Sequence, residues 1–354
     1  MICLCFNCSC ALQNGTSDNT IVNIGESGNA SVVGSASSVD YLLISYFVFG
    51  LVGVVGNCFA CSIIVGHRPL RTRLANYYVI NQCALDLMVS LLLLTNMPTV
   101  TNYKISLDAG GMINCYLWKS RVLLLGFMTS SLFNVVALTI ERYFEVIYPI
   151  KHKLYFSRSI VIVSISASWV MGVIFKMCHI YPGLLVSPGG FCLAGGKNIP
   201  FRASITSVSN FLGEYFIDLC IIAFCYIQMG RKLRISVGPR APSTGVESSS
   251  SRARKNILKT LLTVVVGLAL TGFFKQVLAL INGLGIYALD LGGPMYKVSL
   301  SLQYSNCCIN PFIYMFQYKE FQRGVMVLFR LRQTKRRVDA TSTRGFSQET
   351  SLHV

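Results

Sequence analysis

Seven long apolar runs constrain this chain more than anything else in it. They lie at about 41–66, 75–98, 116–146, 159–182, 203–230, 257–282 and 295–317. A hydrocarbon core about 30 Å thick takes roughly 20 helical residues to cross, and each run is long enough. In lipid, backbone N–H and C=O groups must be satisfied within a helix or a closed barrel. The runs are too long for barrel strands and lack their alternation. The expected fold is all-α, a seven-transmembrane helix bundle with a short amphipathic eighth helix. Residues 1–40 read as an extracellular disordered tail, 41–317 as the transmembrane domain, 318–330 as the amphipathic surface helix and 331–354 as a cytoplasmic tail.

Charged residues make up 13% of the chain, about half of what a soluble domain carries. The net charge of +17 could suit a nucleic-acid partner. Position excludes it, because the bases flank the apolar runs. Arg68, Arg71 and Arg73, then Lys151, Lys153 and Arg158, then Arg231 to Lys259, and the stretch from Lys319 to Arg344 all fall on one side. The positive-inside rule puts that side in the cytoplasm. The protein is therefore expected as a multi-pass protein of the plasma membrane, N-terminus outside and C-terminus inside. Helix residues 318–330 carry Phe321, Val325, Leu328 and Phe329 at helical spacing, with Lys319, Arg323 and Arg330 between them. That pattern suits a helix lying on membrane lipid.

The first residues, Met1 to Leu12, make a poor signal peptide, since no basic start precedes them and Asn7 and Ser9 break the apolar stretch. The first long helix is expected to serve as the insertion signal. The N-terminal tail holds glycosylation sequons at Asn7, Asn14 and Asn29. Cys58, Cys61, Cys83, Cys220, Cys225, Cys307 and Cys308 lie inside apolar runs and read as packing residues. Cys3, Cys5, Cys8 and Cys10 crowd the N-terminus, where pairing among themselves or free thiols is expected. No metal or nucleophile constellation marks an enzyme.

The polar residues within the runs carry a resemblance. Gly56-Asn57 sits in the first helix and Leu85-Asp86 midway along the second. Glu141-Arg142-Tyr143 closes the third, Trp169 sits in the fourth, and Tyr226 lies near the inner end of the fifth. Asn310-Pro311-Phe312-Ile313-Tyr314 closes the seventh. In this order and depth the motifs resemble those of rhodopsin-like G-protein-coupled receptors, with the general look of invertebrate peptide receptors, over about residues 41 to 330.

The resemblance implies several roles. Glu141 would hold Arg142 at rest, and Arg142, Tyr143, Tyr226, Asn310, Pro311 and Tyr314 would take part in coupling to a heterotrimeric G protein. Arg254 stands where many relatives carry a second acid, so the resting lock is expected to rest on Glu141 alone. A buried charge such as Asp86 is costly in lipid and usually partnered. By resemblance it would share a polar pocket with Asn57, Ser131, Asn306 and Asn310 and could bind sodium, its oxygen donors suiting a hard cation; the alternative is an acid hydrogen-bonded to Asn310. Cys115 and Cys192 would form a disulfide over the ligand cavity, with Cys178 as a competitor. Cys115 is two residues farther from Arg142 than usual, which predicts a local irregularity. Ser248 to Ser251, Thr341, Ser342, Thr343, Ser347, Thr350 and Ser351 are expected phosphorylation sites for arrestin recruitment.

Three departures stand out. Asp218 replaces the usual proline of the fifth helix, and Thr271-Gly272-Phe273-Phe274 replaces the Cys-Trp-x-Pro of the sixth. Without the proline the sixth helix should run straighter, and Gly272 should leave space at the pocket floor. Lys275 then needs an anion, and Glu214 or Asp218 is the expected partner. Leu124, Met128, Glu214, Lys275, Gln276 and Tyr304 are expected to line the ligand pocket. Leu124 stands where amine receptors carry Asp, and Tyr304 where opsins carry Lys. Basic Lys119, Arg121, Lys176, Lys197 and Arg202 toward the outer side favour a peptide ligand, including one with acidic groups, over a lipid or small carboxylate. The alternative function is a binding or scavenging protein that does not signal.

Overall fold

The computed structural model describes residues 41–96, 108–186, 192–194, 200–235, 249–290 and 293–329. The tail with Asn7, Asn14, Asn29 and its four cysteines lies outside them, as do Lys197 and the serines and threonines beyond residue 330.

The long helices are α1 (Tyr41–Gly66), α2 (Leu74–Asn96), α3 (Val122–Ile147) and α4 (Arg158–Ile180). α5 comprises Pro200–Phe211 and Ile217–Ile235, joined by a π turn at Leu212–Phe216. α6 (Ser249–Gly283), α7 (Pro294–Gln317) and a helix α8 at 319–329 follow. Among the described residues the only strands are β1 (Leu184–Val186) and β2 (Cys192–Ala194), an antiparallel pair between α4 and α5. The described residues are otherwise largely helical, as backbone in lipid requires.

Six of these spans are long and apolar enough to cross a membrane. α7 falls short because Lys297, Ser299, Gln303, Asn306 and Asn310 lie along it. Ser299, Gln303 and Asn310 are buried, and α7 packs on α1, α2 and α6. Polar residues are tolerated at membrane depth when they face the bundle interior, so its composition reflects its place in the bundle. α3 stands at the centre, packed on α2, α4 and α5.

The two larger apolar clusters lie toward opposite ends of the bundle. One gathers Ile63, Tyr78, Leu138, Leu261, Tyr314 and Phe321 at the end that carries Arg142. The other gathers Tyr46, Leu93, Leu124, Leu300, Tyr304 and Cys307 farther toward Cys115. Pro311 lies inside α7, and Gly56 lets α1 approach it: a Cβ there would sit 3.1 Å from Pro311 Cγ.

Three local expectations meet the structure. The irregularity near Cys115 takes the form of a π turn at Asn114–Lys119, followed by Arg121 in the left-handed region at φ 57°. α6 runs uninterrupted through Phe274, with no proline inside it. α8 differs from a helix lying wholly on lipid. Phe321 is fully buried against Phe59 and Tyr314, while Met326, Val327 and Phe329 remain exposed. One edge of α8 is thus part of the bundle's core, and the rest presents apolar surface outward.

Candidate functional site: a polar spine through the bundle

Cys115 and Cys192 form a disulfide that joins the π turn before α3 to β2. Cys178, the competitor, is free. Cys115 is fully buried with Leu184, beside Tyr116 and Tyr181. A disulfide closing a long loop typically stabilises by about 2–4 kcal/mol. Cys115→Ala and Cys192→Ala should each lower surface expression, and the double variant should be little worse. Additive losses would mean that the two cysteines have separate partners.

Below that loop the structure corrects the expected Lys275 ion pair. Glu214 lies in the π turn of α5, where the wide turn shifts the helical register, as such turns do at functional positions. Its partner is Lys176 of α4. Thr129 of α3 donates to Glu214 Oε1 at 2.7 Å, and Gln276 of α6 donates to Oε2 at 3.0 Å. Lys176 also donates to Asn210 Oδ1 at 3.1 Å. One carboxylate thus ties α3, α4, α5 and α6 together. Lys176 is therefore not an outer-surface base, being 3% exposed. Among the described residues neither Lys275 nor Asp218 has an ion-pair partner within 4.0 Å, and Asp218 Oδ2 is buried without a hydrogen bond.

Beside this node lies a small, partly open cavity between α3, α5, α6 and α7. Of the six expected pocket residues, Met128, Glu214 and Gln276 line it and Lys275 does not. Leu124 and Tyr304 are 1% exposed and belong to the packed cluster near Tyr46. The space that Gly272 was expected to leave is present, since Gly272 is part of the lining.

Deeper in the bundle Asp86 is 1% exposed. Asn310 donates to its Oδ2 at 2.7 Å and Ser131 to its Oδ1 at 3.2 Å. Gln82, which the sequence reading missed, donates to Oδ1 at 3.1 Å and also bonds Ser131. It sits four residues before Asp86 and so on the same helix face, a spacing that could have revealed it. Asn57 bonds Gly53 and Cys307 carbonyls instead, at 2.9 and 2.8 Å, and Asn306 lines the cavity. A sodium ion would need oxygens facing Asp86, whereas two amide N–H groups and a hydroxyl already donate to it. Asp86 is thus a hydrogen-bonded carboxylate, and the Oδ1 of Asn57 is buried without a hydrogen-bond partner. The network continues through Asn134 to Asn81, whose Oδ1 accepts from Trp169 Nε1 at 2.8 Å.

A separate charged group surrounds Arg142. Its Nε is 3.0 Å from Glu141 Oε2, yet both atoms lack a hydrogen bond. The distance makes an ion pair while the angle is poor for a hydrogen bond; Coulomb attraction does not depend on that angle. The other oxygen of Glu141 is 2.8 Å from His152 Nε2. Arg142 donates from Nη1 to Glu145, one turn on. The expectation that Glu141 alone holds the arginine is therefore corrected: an acid on α3 itself supplies the second partner. Tyr226 stands beside Thr139 and Arg142, and Tyr314 is buried close by in the core. Tyr143 points elsewhere, its ring packed near Phe144, Tyr148 and Phe224.

A bundle of long apolar helices with buried polar clusters inside it, an arginine held by acids at one end and a disulfide at the other, is a seven-helix receptor core. The sequence model of the 7 transmembrane receptor (rhodopsin family) matches residues 56–314, and the chain belongs to that family. It is 24% identical to galanin receptor 2a of Danio rerio over 89% of this chain and 85% of that one. It is 24% identical to the alpha-1A adrenergic receptor of Oryzias latipes over 86% and 72%. With somatostatin receptor type 5 of Bos taurus the identity is 24% over 93% and 85%. The chain is a multi-pass membrane receptor and not an enzyme.

Proposed function

We propose that this receptor passes the binding of an extracellular peptide to heterotrimeric G proteins across the plasma membrane. The observation that carries the reading is Arg142, 7% exposed and held between Glu141 and Glu145. A buried cation with two local acids is a charge kept in reserve, released when the helix ends move apart. Relatives named for galanin and somatostatin support a peptide ligand. The adrenergic relative points to an amine, but Leu124 offers no carboxylate to an ammonium, and it is packed away from the cavity. Arrestin recruitment to the phosphorylated tail belongs to the same reading.

The test is G-protein dissociation in cells exposed to a peptide collection. A peptide that activates the parent should fail on Arg142→Ala at equal surface expression. Equal activation of both would remove Arg142 from the coupling role. Binding without any G-protein response would support the non-signalling alternative. The orientation follows from the distribution of Lys and Arg. A tag before Asp40 should stain intact cells, and staining only after permeabilisation would reverse the topology.

A further inference from the structure

The hydrogen bonds that lead to Asp86 all run in one sense, and they start on α4. An indole N–H can only donate, so Trp169 Nε1 commits Asn81 Oδ1 to accept, at 2.8 Å. Asn81 then has its Nδ2 to offer, which donates to Asn134 Oδ1 at 2.8 Å. Asn134 Nδ2 in turn donates to the Tyr78 carbonyl at 3.0 Å and to Gln82 Oε1 at 2.9 Å. A backbone carbonyl can only accept, so the direction of Asn134 is set from two sides. Gln82 is left with its Nε2 toward Asp86 Oδ1 and Oδ2, at 3.1 and 3.3 Å, and toward Ser131. Turning the Gln82 amide over would set its N–H groups against those of Asn134. Asn81, Gln82, Asn134 and Asp86 are all buried, so a reversed amide could not find bulk water instead.

We propose that the Gln82 carboxamide takes the place that a sodium ion would hold beside Asp86, so that this receptor binds no cation there. Four hydrogen bonds reach the carboxylate, two from Gln82 and one each from Ser131 and Asn310. That is about as many as its two oxygens accept. A hard cation needs a shell of oxygens, and the groups around Asp86 present hydrogens. Ser131 donates its proton to Asp86 and accepts one from Gln82, and Asn310 presents its amide N–H. Asn57 Oδ1 is unanswered, but it is a single oxygen, and the Asn57 amide nitrogen is spent on the Gly53 and Cys307 carbonyls. Oriented neutral dipoles thus compensate the buried acid, as a satisfied polar network can. The inference goes beyond the receptor reading and does not depend on it.

Thermal unfolding tests it without any signalling readout. The purified full-length receptor in detergent micelles is melted in increasing sodium chloride, with N-methylglucamine chloride at the same ionic strength as the reference. The parent should melt alike in the two salts. Gln82→Leu removes the donor, frees a lone pair of Ser131 and leaves Asp86 short of partners. It should gain a saturable, sodium-specific rise in melting temperature of a few degrees, as a ligand of the folded state gives. Gln82→Met, which keeps the unbranched shape, serves if the leucine variant does not fold. Adding Asp86→Asn should remove the gain. A saturable sodium-specific rise in the parent would overturn the proposal, and so would melting of the Gln82 variants that is blind to sodium. A gain that survives Asp86→Asn would overturn it too, because sodium would then bind elsewhere. None of these outcomes bears on G-protein coupling, so the receptor reading stands or falls separately.

Discussion

Lys176→Met is expected to be the most damaging single substitution in the bundle, costing about 3–5 kcal/mol of stability. The reason is the charge it strands. Lys176 and Glu214 have side chains 4% and 6% exposed, so neither can turn to water when its partner is lost. Removing one member of a buried pair leaves an uncompensated charge, whereas replacing both with apolar groups is often nearly neutral. Lys176→Met combined with Glu214→Leu should therefore be clearly more stable than Lys176→Met alone. Lys275→Met is the comparison: Lys275 acts on Glu214 only from beyond 4.0 Å, so it should cost clearly less than Lys176→Met. Thermal unfolding of the four proteins in the same micelles decides the matter. If Lys176→Met melts with the parent, or if Lys275→Met is the worse of the two, Glu214 is held by something other than Lys176.

That node also bears on how the receptor switches. With Gly272 and an unbroken α6, the bundle has no indole or proline kink at this depth. It has instead one carboxylate that α3, α4, α5 and α6 all contact. Gln276 is the α6 member of that set, and it borders the cavity. A ligand group in the cavity meets Gln276 and Glu214 directly. It can bias α6 only if it binds the two positions of that helix unequally.

Much of this was legible in the sequence. Length and apolarity of the runs fixed the number of helices, because lipid leaves the backbone few choices. The disulfide and the irregularity beside Cys115 followed from the family spacing, as did the space at Gly272. What stayed hidden were pairings that depend on helix rotation. Glu214 and Lys275 looked like partners because they are on facing helices. The π turn at Leu212–Phe216 sets the direction of Glu214, and composition gives no sign of such a turn. Lys176 was misplaced for a related reason: a base near a helix end reads as exposed until its partner is known. Glu145 could have been found, since it stands one turn after Arg142, where side chains meet.

The second large effect concerns the arginine lock. Glu145→Gln removes a charged hydrogen bond to Arg142, a class that contributes about 1.5–3 kcal/mol. The side chain of Glu145 is 33% exposed, which places the effect at the lower end. Loss of the bond favours the released arginine, so ligand-free signalling should rise by roughly tenfold. His152 holds the remaining oxygen of Glu141, so Glu141→Gln should add to the rise by loosening both partners.

Guanine-nucleotide exchange on purified heterotrimers, catalysed by the receptor in lipid nanodiscs without ligand, tests the central claim most directly. The account predicts faster exchange with Glu141→Gln/Glu145→Gln than with the parent, and a return to the receptor-free rate when Arg142→Ala is added. Exchange at the receptor-free rate for the parent and the double variant, across all Gα classes, would contradict it and leave a binding protein that does not signal.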